Sequence, residues 1–290
     1  MRDRTATSHL APGPGRRDLL RMALGGVATL AAPSLAQANG GVTDLEGFDS
    51  VWRDAETVLE ANFGRGATFE HAGITLDIPE HVDSGSSVPC RIAIDCTMTD
   101  LDCPRIVHLV AHGNPTPQIL TVWFQPEAGL AEVSTRIRLE QAQRVTVAAQ
   151  MRDGRLLRAD RDVSVSFGAC AQIGAGSNDD VFAFRPEPRV SVPPLARKED
   201  IVPVRAIISH PMETGLRKSA TDEWVRQRII STFGCTADGV EFFRARLYPA
   251  IATNPYFLFH MRARDTGPIR FRWYDMTGHT YVAEARLTLG

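Results

Sequence analysis

The feature that most constrains this chain is a recurrence of short runs in which apolar and polar residues alternate, each closed by turn-forming residues. Ile74-Thr75-Leu76-Asp77-Ile78 alternates strictly. Runs of the same kind span Val88 to Ile94, Ile106 to Val110, Ile119 to Phe124, Glu132 to Leu139, Arg144 to Met151 and Leu157 to Phe167. Successive side chains of a strand point to opposite faces, so alternation marks a sheet with one face buried. Asp83-Ser84-Gly85, His112-Gly113-Asn114-Pro115, Glu127-Ala128-Gly129 and Arg152-Asp153-Gly154 supply turns between them. About seven short strands within roughly 100 residues predict an antiparallel β-sandwich.

A second all-β half follows. Strands are expected near Arg189-Val192, Ile201-Ser209, Gly239-Leu247, Tyr256-Ala263, Ile269-Tyr274 and Thr280-Leu287, and Glu223 to Phe233 reads as a short helix or covering loop. The stretch between the halves is rich in Gly, Ser, Asn, Asp and Pro and reads as a linker. Before the first half, Val51, Trp52, Ala55, Val58, Leu59 and Phe63 fall at helical spacing. They predict an amphipathic helix from Phe48 to Phe63, capped by Asp49 or Ser50, ended by Gly64 and packed on the first sandwich. The fold class is therefore all-β: two β-sandwiches joined by a linker, with a short N-terminal helix. The segments are 1–38, a targeting peptide; 39–64, helical; 65–168, first sandwich; 169–188, linker; and 189–290, second sandwich.

The targeting segment rests on a twin-arginine pair, Arg16-Arg17, an apolar stretch from Met22 to Ala32 and a small-x-small site at Ala36-Gln37-Ala38. The apolar stretch is too short to span a bilayer as a helix. Export to the periplasm is expected. Residues 1–38 hold five Arg and two Asp, so without them the net charge moves from −2 to −5. No basic excess points to nucleic acid or to an anionic membrane.

An oxidising compartment makes the cysteines informative. There are five: Cys90, Cys96, Cys103, Cys170 and Cys235. An odd number leaves at least one without an intramolecular partner. On a regular strand Cys90 and Cys96 lie about 20 Å apart, too far to bridge. Cys96 and Cys103 flank a polar turn, and a disulfide across it stays open at this point. Cys170 is the best candidate for the unpaired thiol. It follows the last strand of the first half, in Gly168-Ala169-Cys170-Ala171, among residues with little or no side chain. It reads as a covalent attachment point on an arm made by Gly168, Ala169 and Ala171. No His, Lys or Arg lies between Arg161 and Arg185, which suits a passive handle better than an autonomous nucleophile.

Other chemistry is not signalled. There is no glycine-rich phosphate loop before a helix, no G-x-S-x-G elbow and no H-E-x-x-H. His108 and His112 sit in a strand-then-turn context, where their spacing separates the rings, and read as packing or surface histidines. No cofactor, metal, nucleic-acid or membrane partner is expected.

Two longer stretches carry a resemblance. Ile74-Thr75-Leu76-Asp77, Gly113-Asn114-Pro115-Thr116-Pro117 and Ala131 to Leu139 resemble SoxY, the sulfur-carrier subunit of bacterial thiosulfate oxidation. Ile208-Ser209-His210-Pro211-Met212-Glu213-Thr214-Gly215-Leu216-Arg217-Lys218 and Ala252-Thr253-Asn254-Pro255-Tyr256 resemble its partner SoxZ. The resemblance covers nearly all of the chain after the targeting segment. It implies that both sandwiches are immunoglobulin-like, and that the chain is a carrier, not an enzyme, whose thiol on a swinging arm moves sulfur intermediates between periplasmic oxidoreductases or cytochromes. Cys170 matches that thiol, although the family's arm is Gly-Gly-Cys-Gly-Gly at a free chain end, and here it is internal and poorer in glycine. A related group of fused SoxYZ-like proteins is associated with quinoprotein dehydrogenases. It supplies the alternative, a non-covalent accessory module of such a dehydrogenase. The His210 to Gly215 run reads as a structural corner: His-Pro and then Thr-Gly is strong turn chemistry.

Overall fold

A computed structural model describes residues 54–169, 184–219 and 221–290. It opens with helix α1 (Ala55–Phe63), followed by β1 (Ile74–Asp77), β2 (His81–Ser84), β3 (Val88–Ile94), β4 (Pro104–Ala111), β5 (Gln118–Phe124), β6 (Ala131–Ile137), β7 (Gln143–Met151) and β8 (Leu156–Phe167). The second half contains β9 (Pro188–Ser191), β10 (Leu195–Ala196), β11 (Ile201–Ile208), β12 (Ile230–Ala237), β13 (Val240–Leu247), β14 (Tyr256–Arg262), β15 (Gly267–Asp275) and β16 (Thr280–Leu289). The all-β architecture, the immunoglobulin-like form that the resemblance implies and a short leading helix are as expected. Among the described residues, no helix is long and apolar enough to cross a membrane.

The halves do not keep separate sheets. One six-stranded sheet runs β1-β3-β6-β14-β11-β9, and a ten-stranded sheet runs β10-β16-β15-β12-β13-β5-β4-β7-β8-β2. Each sheet passes from the first half into the second. The longer seam pairs β5 with β13 antiparallel, from Phe124↔Phe243 to Leu120↔Leu247. The shorter one pairs Ser134 of β6 with Leu258 of β14, and Thr135 Oγ1 donates across it to the Tyr256 carbonyl at 2.8 Å. Packed rings follow the same logic. Phe233 of β12 stacks on Phe257 of β14 at 5.2 Å, and Phe243 on Phe259 at 4.1 Å, joining the two sheets face to face. Phe124, from the first half, meets Phe243 edge-on at 5.6 Å. One apolar core therefore serves both halves.

Three local expectations are corrected. The described helix begins at Ala55 and is capped by Asp54, in an extended conformation, which accepts the Thr57 N–H at 2.8 Å; residues 48–53 of the expected helix lie outside the described residues, and Gly64, with φ +97°, ends it as expected. Its Ala55, Val58 and Leu59 cover Val110 of β4 and Ala148 of β7. β12 starts at Ile230, inside the stretch read as helix or loop, because Phe233 and Cys235 alternate inward between β13 and β15. His81–Ser84, part of which read as turn, forms a strand parallel to β8. Cys96 and Cys103 are both free thiols. Asp102 closes their loop instead, accepting from Thr97 N–H at 2.7 Å and Thr97 Oγ1 at 2.8 Å. Cys103 Sγ points into the core toward the Pro104 and Phe124 carbonyls.

His108 and His112 are packing residues, as read. His112 Nε2 meets Thr146 Oγ1 at 2.9 Å. His108 lies beneath the helix, with Nδ1 3.0 Å from Thr121 Oγ1 and its ring edge-on to Phe63. Burial pushes its pKa down to about 4. The unfolded imidazole titrates near 6.5, so it takes up a proton first as the pH falls. His108 thus contributes stability that is fully present above about pH 6.5 and is lost as the pH falls toward about 4, about 3 kcal/mol in all. Urea unfolding at about pH 7 and about pH 4.5 checks this. His108→Leu is expected to flatten the pH dependence, and parallel losses in both proteins would remove His108 as the cause.

Candidate functional site

Cys170 and Ala171 lie outside the described residues, as does most of the stretch read as linker. Gly168 and Ala169, the other two residues assigned to the arm, are described, and they are anchored, not free. Ala169 is 1% exposed, and its N–H donates to the Leu139 carbonyl at 3.1 Å. A methyl group on Gly168 would stand 2.0 Å from the Glu140 carbonyl oxygen, so only glycine fits. The same is true of Gly85, where a Cβ would stand 1.9 Å from the Leu139 oxygen. Gly85 N–H donates to Phe167 O at 2.7 Å, and Leu139 N–H to Gly85 O at 2.8 Å. Three chain segments therefore cross within backbone contact at the end of β8.

Asn114 fixes this crossing. Its Nδ2 donates to Arg138 O at 2.9 Å, and its Oδ1 accepts from Glu140 N–H at 3.0 Å and Gln143 Nε2 at 2.9 Å. The asparagine of the Gly113-Asn114-Pro115 turn thus spends its amide on the segment that supports Gly168 and Ala169. Replacing Gly168 by alanine must move that backbone, and a cost of about 2 kcal/mol is expected, with faster amide exchange at Ala169. An alanine variant with wild-type urea midpoint and exchange would show that the crossing is looser than its geometry implies.

Arg138 joins the crossing to the second half. It is 7% exposed. Nη1 donates to Met212 O at 2.8 Å and Pro249 O at 3.3 Å; Nη2 donates to Thr253 Oγ1 at 2.7 Å and Pro211 O at 3.3 Å. Its own N–H reaches Ala250 O at 2.7 Å. The His210 to Gly215 run is thus a corner gripped from the first half. Met212 is fully buried at φ +50°, an uncommon conformation for a side chain of that size.

Behind the corner sits a buried polar cluster. His210 Nδ1 accepts the Met212 N–H at 3.1 Å, which puts the ring proton on Nε2, 3.3 Å from Asp275 Oδ2. Arg228 Nε donates to the same oxygen at 3.0 Å. Burial pushes Asp275 upward, but the bonds from His210, Thr277 and Arg228 outweigh it and hold the carboxyl well below the usual carboxylate range. Burial also lowers the His210 pKa, more than its bond to Asp275 raises it. The ionised Asp275, held between the neutral His210 imidazole and Arg228, is a structural tie. Arg228 also donates to Phe184 O at 3.3 Å.

The other cysteines are poorly placed for chemistry. Cys90, Cys103 and Cys235 are buried, and desolvation pushes Cys90 and Cys103 up to about 12 and raises Cys235 as well. Cys96 is half-buried, and burial raises it too. Among the described residues, no cluster of His, Cys, Asp and Glu has the makings of a metal site.

Two immunoglobulin-like halves that share both sheets define a two-part β-scaffold. The family models give the particular family: sulfur oxidation protein SoxY matches residues 59–170, and sulphur oxidation protein SoxZ matches residues 190–286. The chain belongs to the SoxYZ proteins of sulfur oxidation, as a SoxY–SoxZ fusion. SoxY and SoxZ are carrier or accessory proteins, not catalysts. Among solved structures, the sulfur carrier protein SoxY from Chlorobium limicola f thiosulfatophilum is 24% identical, with 39% of this chain and 96% of that chain covered and a TM-score of 0.33. A superoxide reductase (neelaredoxin) from Ignicoccus hospitalis is 14% identical, with 36% and 79% covered and a TM-score of 0.28. No curated protein sequence matches.

Proposed function

We propose that the protein is a periplasmic carrier that holds sulfur intermediates covalently on Cys170 and presents them to partner enzymes of sulfur oxidation. The observation that carries this reading is that the four other cysteines are buried or half-buried with thiols held protonated, which leaves Cys170 for covalent work. The SoxY match also runs as far as residue 170. The anchored Gly168 and Ala169 hold the chain immediately before the cysteine at a defined place on the scaffold. The thiol is then offered from one spot, and this raises its effective concentration for a docked enzyme. The twin-arginine segment supports export, and the partners are periplasmic oxidoreductases or cytochromes.

Intact-protein and peptide mass spectrometry of the chain, isolated from the native periplasm without reductant, tests the proposal. A sulfur-bearing adduct on the peptide containing Cys170, removed by dithiothreitol, is the expected result. A plain thiol in every preparation, or a disulfide to another of the four cysteines, would falsify the carrier role.

A further inference from the structure

The outward face of the ten-stranded sheet is treated differently in the two halves. On the first half, α1 covers it over Val110 and Ala148. On the second half no described element covers it, and it is lined with arginine. β12 presents only small side chains there: Thr232, Gly234 and Thr236. On one side of this trough β15 places Arg272 opposite Gly234 and Arg270 opposite Thr236. On the other, β13 places Arg244 opposite Gly234 and Arg246 opposite Thr232. Strands lie about 4.8 Å apart, so the two arginine columns stand about 10 Å apart across residues too small to fill the space.

The wall on the β13 side is aromatic, whereas β16 sets Val282 beside Arg272 and Glu284 beside Arg270 on the other. Arg244 lies over the Trp123 ring at 6.0 Å, and Arg246 over Tyr248 at 5.5 Å. Such stacking holds guanidinium groups in place with their N–H edges free for a ligand. Glu241 pairs with Arg244 and Glu284 with Arg270. Arg246 and Arg272 have no ion-pair partner among the described residues. Two uncompensated cations beside a bare trough are costly to gather, and the chain as a whole has net charge −2.

We propose that this trough binds an extended acidic segment of a partner protein, laid along β12 with its carboxylates on Arg246 and Arg272. The fit is one of charge and shape: a trough floored by glycine and threonine admits a main chain, and guanidinium forks take carboxylates in a bidentate fashion. The site uses neither Cys170 nor the residues assigned to its arm, so it goes beyond the carrier role and stands whether or not a thiol adduct is found.

The test titrates a blocked peptide of alternating Glu and Gly into the isotopically labelled full chain, with NMR detection. The expected result is movement of the Gly234 amide and the Trp123 indole N–H, weakened about tenfold or more in R246Q/R272Q and by added salt. R246E/R272E should abolish it, while Arg189→Glu on the other sheet leaves it unchanged. Thermal melts show whether the variants fold, and the glutamine pair keeps the test open should the glutamate pair misfold. The proposal is overturned if these signals stay still, if they move equally in R246Q/R272Q, or if phosphatidylglycerol vesicles shift them and the peptide does not.

Discussion

Arg138→Ala is expected to lower the stability of the whole chain by about 4 kcal/mol in urea unfolding at neutral pH. The side chain donates to three carbonyl oxygens and one hydroxyl, and all four acceptors belong to the second half. Alanine leaves the buried Met212 and Pro249 carbonyls unmet, each at about 1–3 kcal/mol before relaxation and water entry offset part of it, while the exposed Thr253 hydroxyl turns to water. Arg138→Lys should recover less than half of the loss, since one ammonium cannot reproduce a fork spanning Met212 and Thr253. The Arg138 carbonyl is also Asn114's acceptor, so the variant should loosen the end of β8, read as faster exchange at Ala169. A loss below about 1 kcal/mol would mean that water already serves those carbonyls.

Cys170→Ser is expected to abolish sulfur loading and, under the proposed role, all carrier-dependent turnover with partner enzymes, while the unfolding free energy from urea titration stays within about 0.5 kcal/mol of wild type. A hydroxyl has the size of a thiol but not its ability to form a sulfur–sulfur bond. The four other cysteines cannot take over, because burial keeps their thiols protonated. Complementation of a deletion strain separates the two readings of the family. Full function with serine would leave the non-covalent accessory of a quinoprotein dehydrogenase as the working description.

Much of the fold is legible in single residues. Ile74, Leu76 and the inward positions of β3, β6 and β14 alternate strictly, since one face meets the core and the other does not. β12 escapes because Ser231, Thr232, Gly234 and Thr236 weaken its contrast, and the Val225 to Ile229 stretch before it has no strand period. β2 escapes because an edge strand of His81, Val82, Asp83 and Ser84 carries turn-like residues. The site divides in the same way. Glycines and a cysteine at a strand end stand out in the sequence. Arg138, Asn114, Asp275 and Arg228 do not, because a buried polar residue earns its place through partners more than a hundred residues away in the case of Arg138 and Pro249. The merging of the sheets is invisible for the same reason, since strand periodicity carries no information about which strand lies alongside.

The shared sheets also bear on how the protein comes into being. Until β13 arrives, β5 is a row of open hydrogen-bonding groups with Leu120, Val122 and Phe124 on its apolar face, the kind of edge that recruits the wrong neighbour. Were the halves separate chains, closing that edge would be a bimolecular step whose rate falls with dilution. In one chain it is a first-order event, with the stoichiometry fixed at synthesis. The cost is time: pairing Leu120 with Leu247 waits for nearly the last strands to be made, and contacts so far apart in sequence form slowly. Under the export route expected from the twin-arginine segment, which carries folded cargo, that wait would fall before the membrane is crossed.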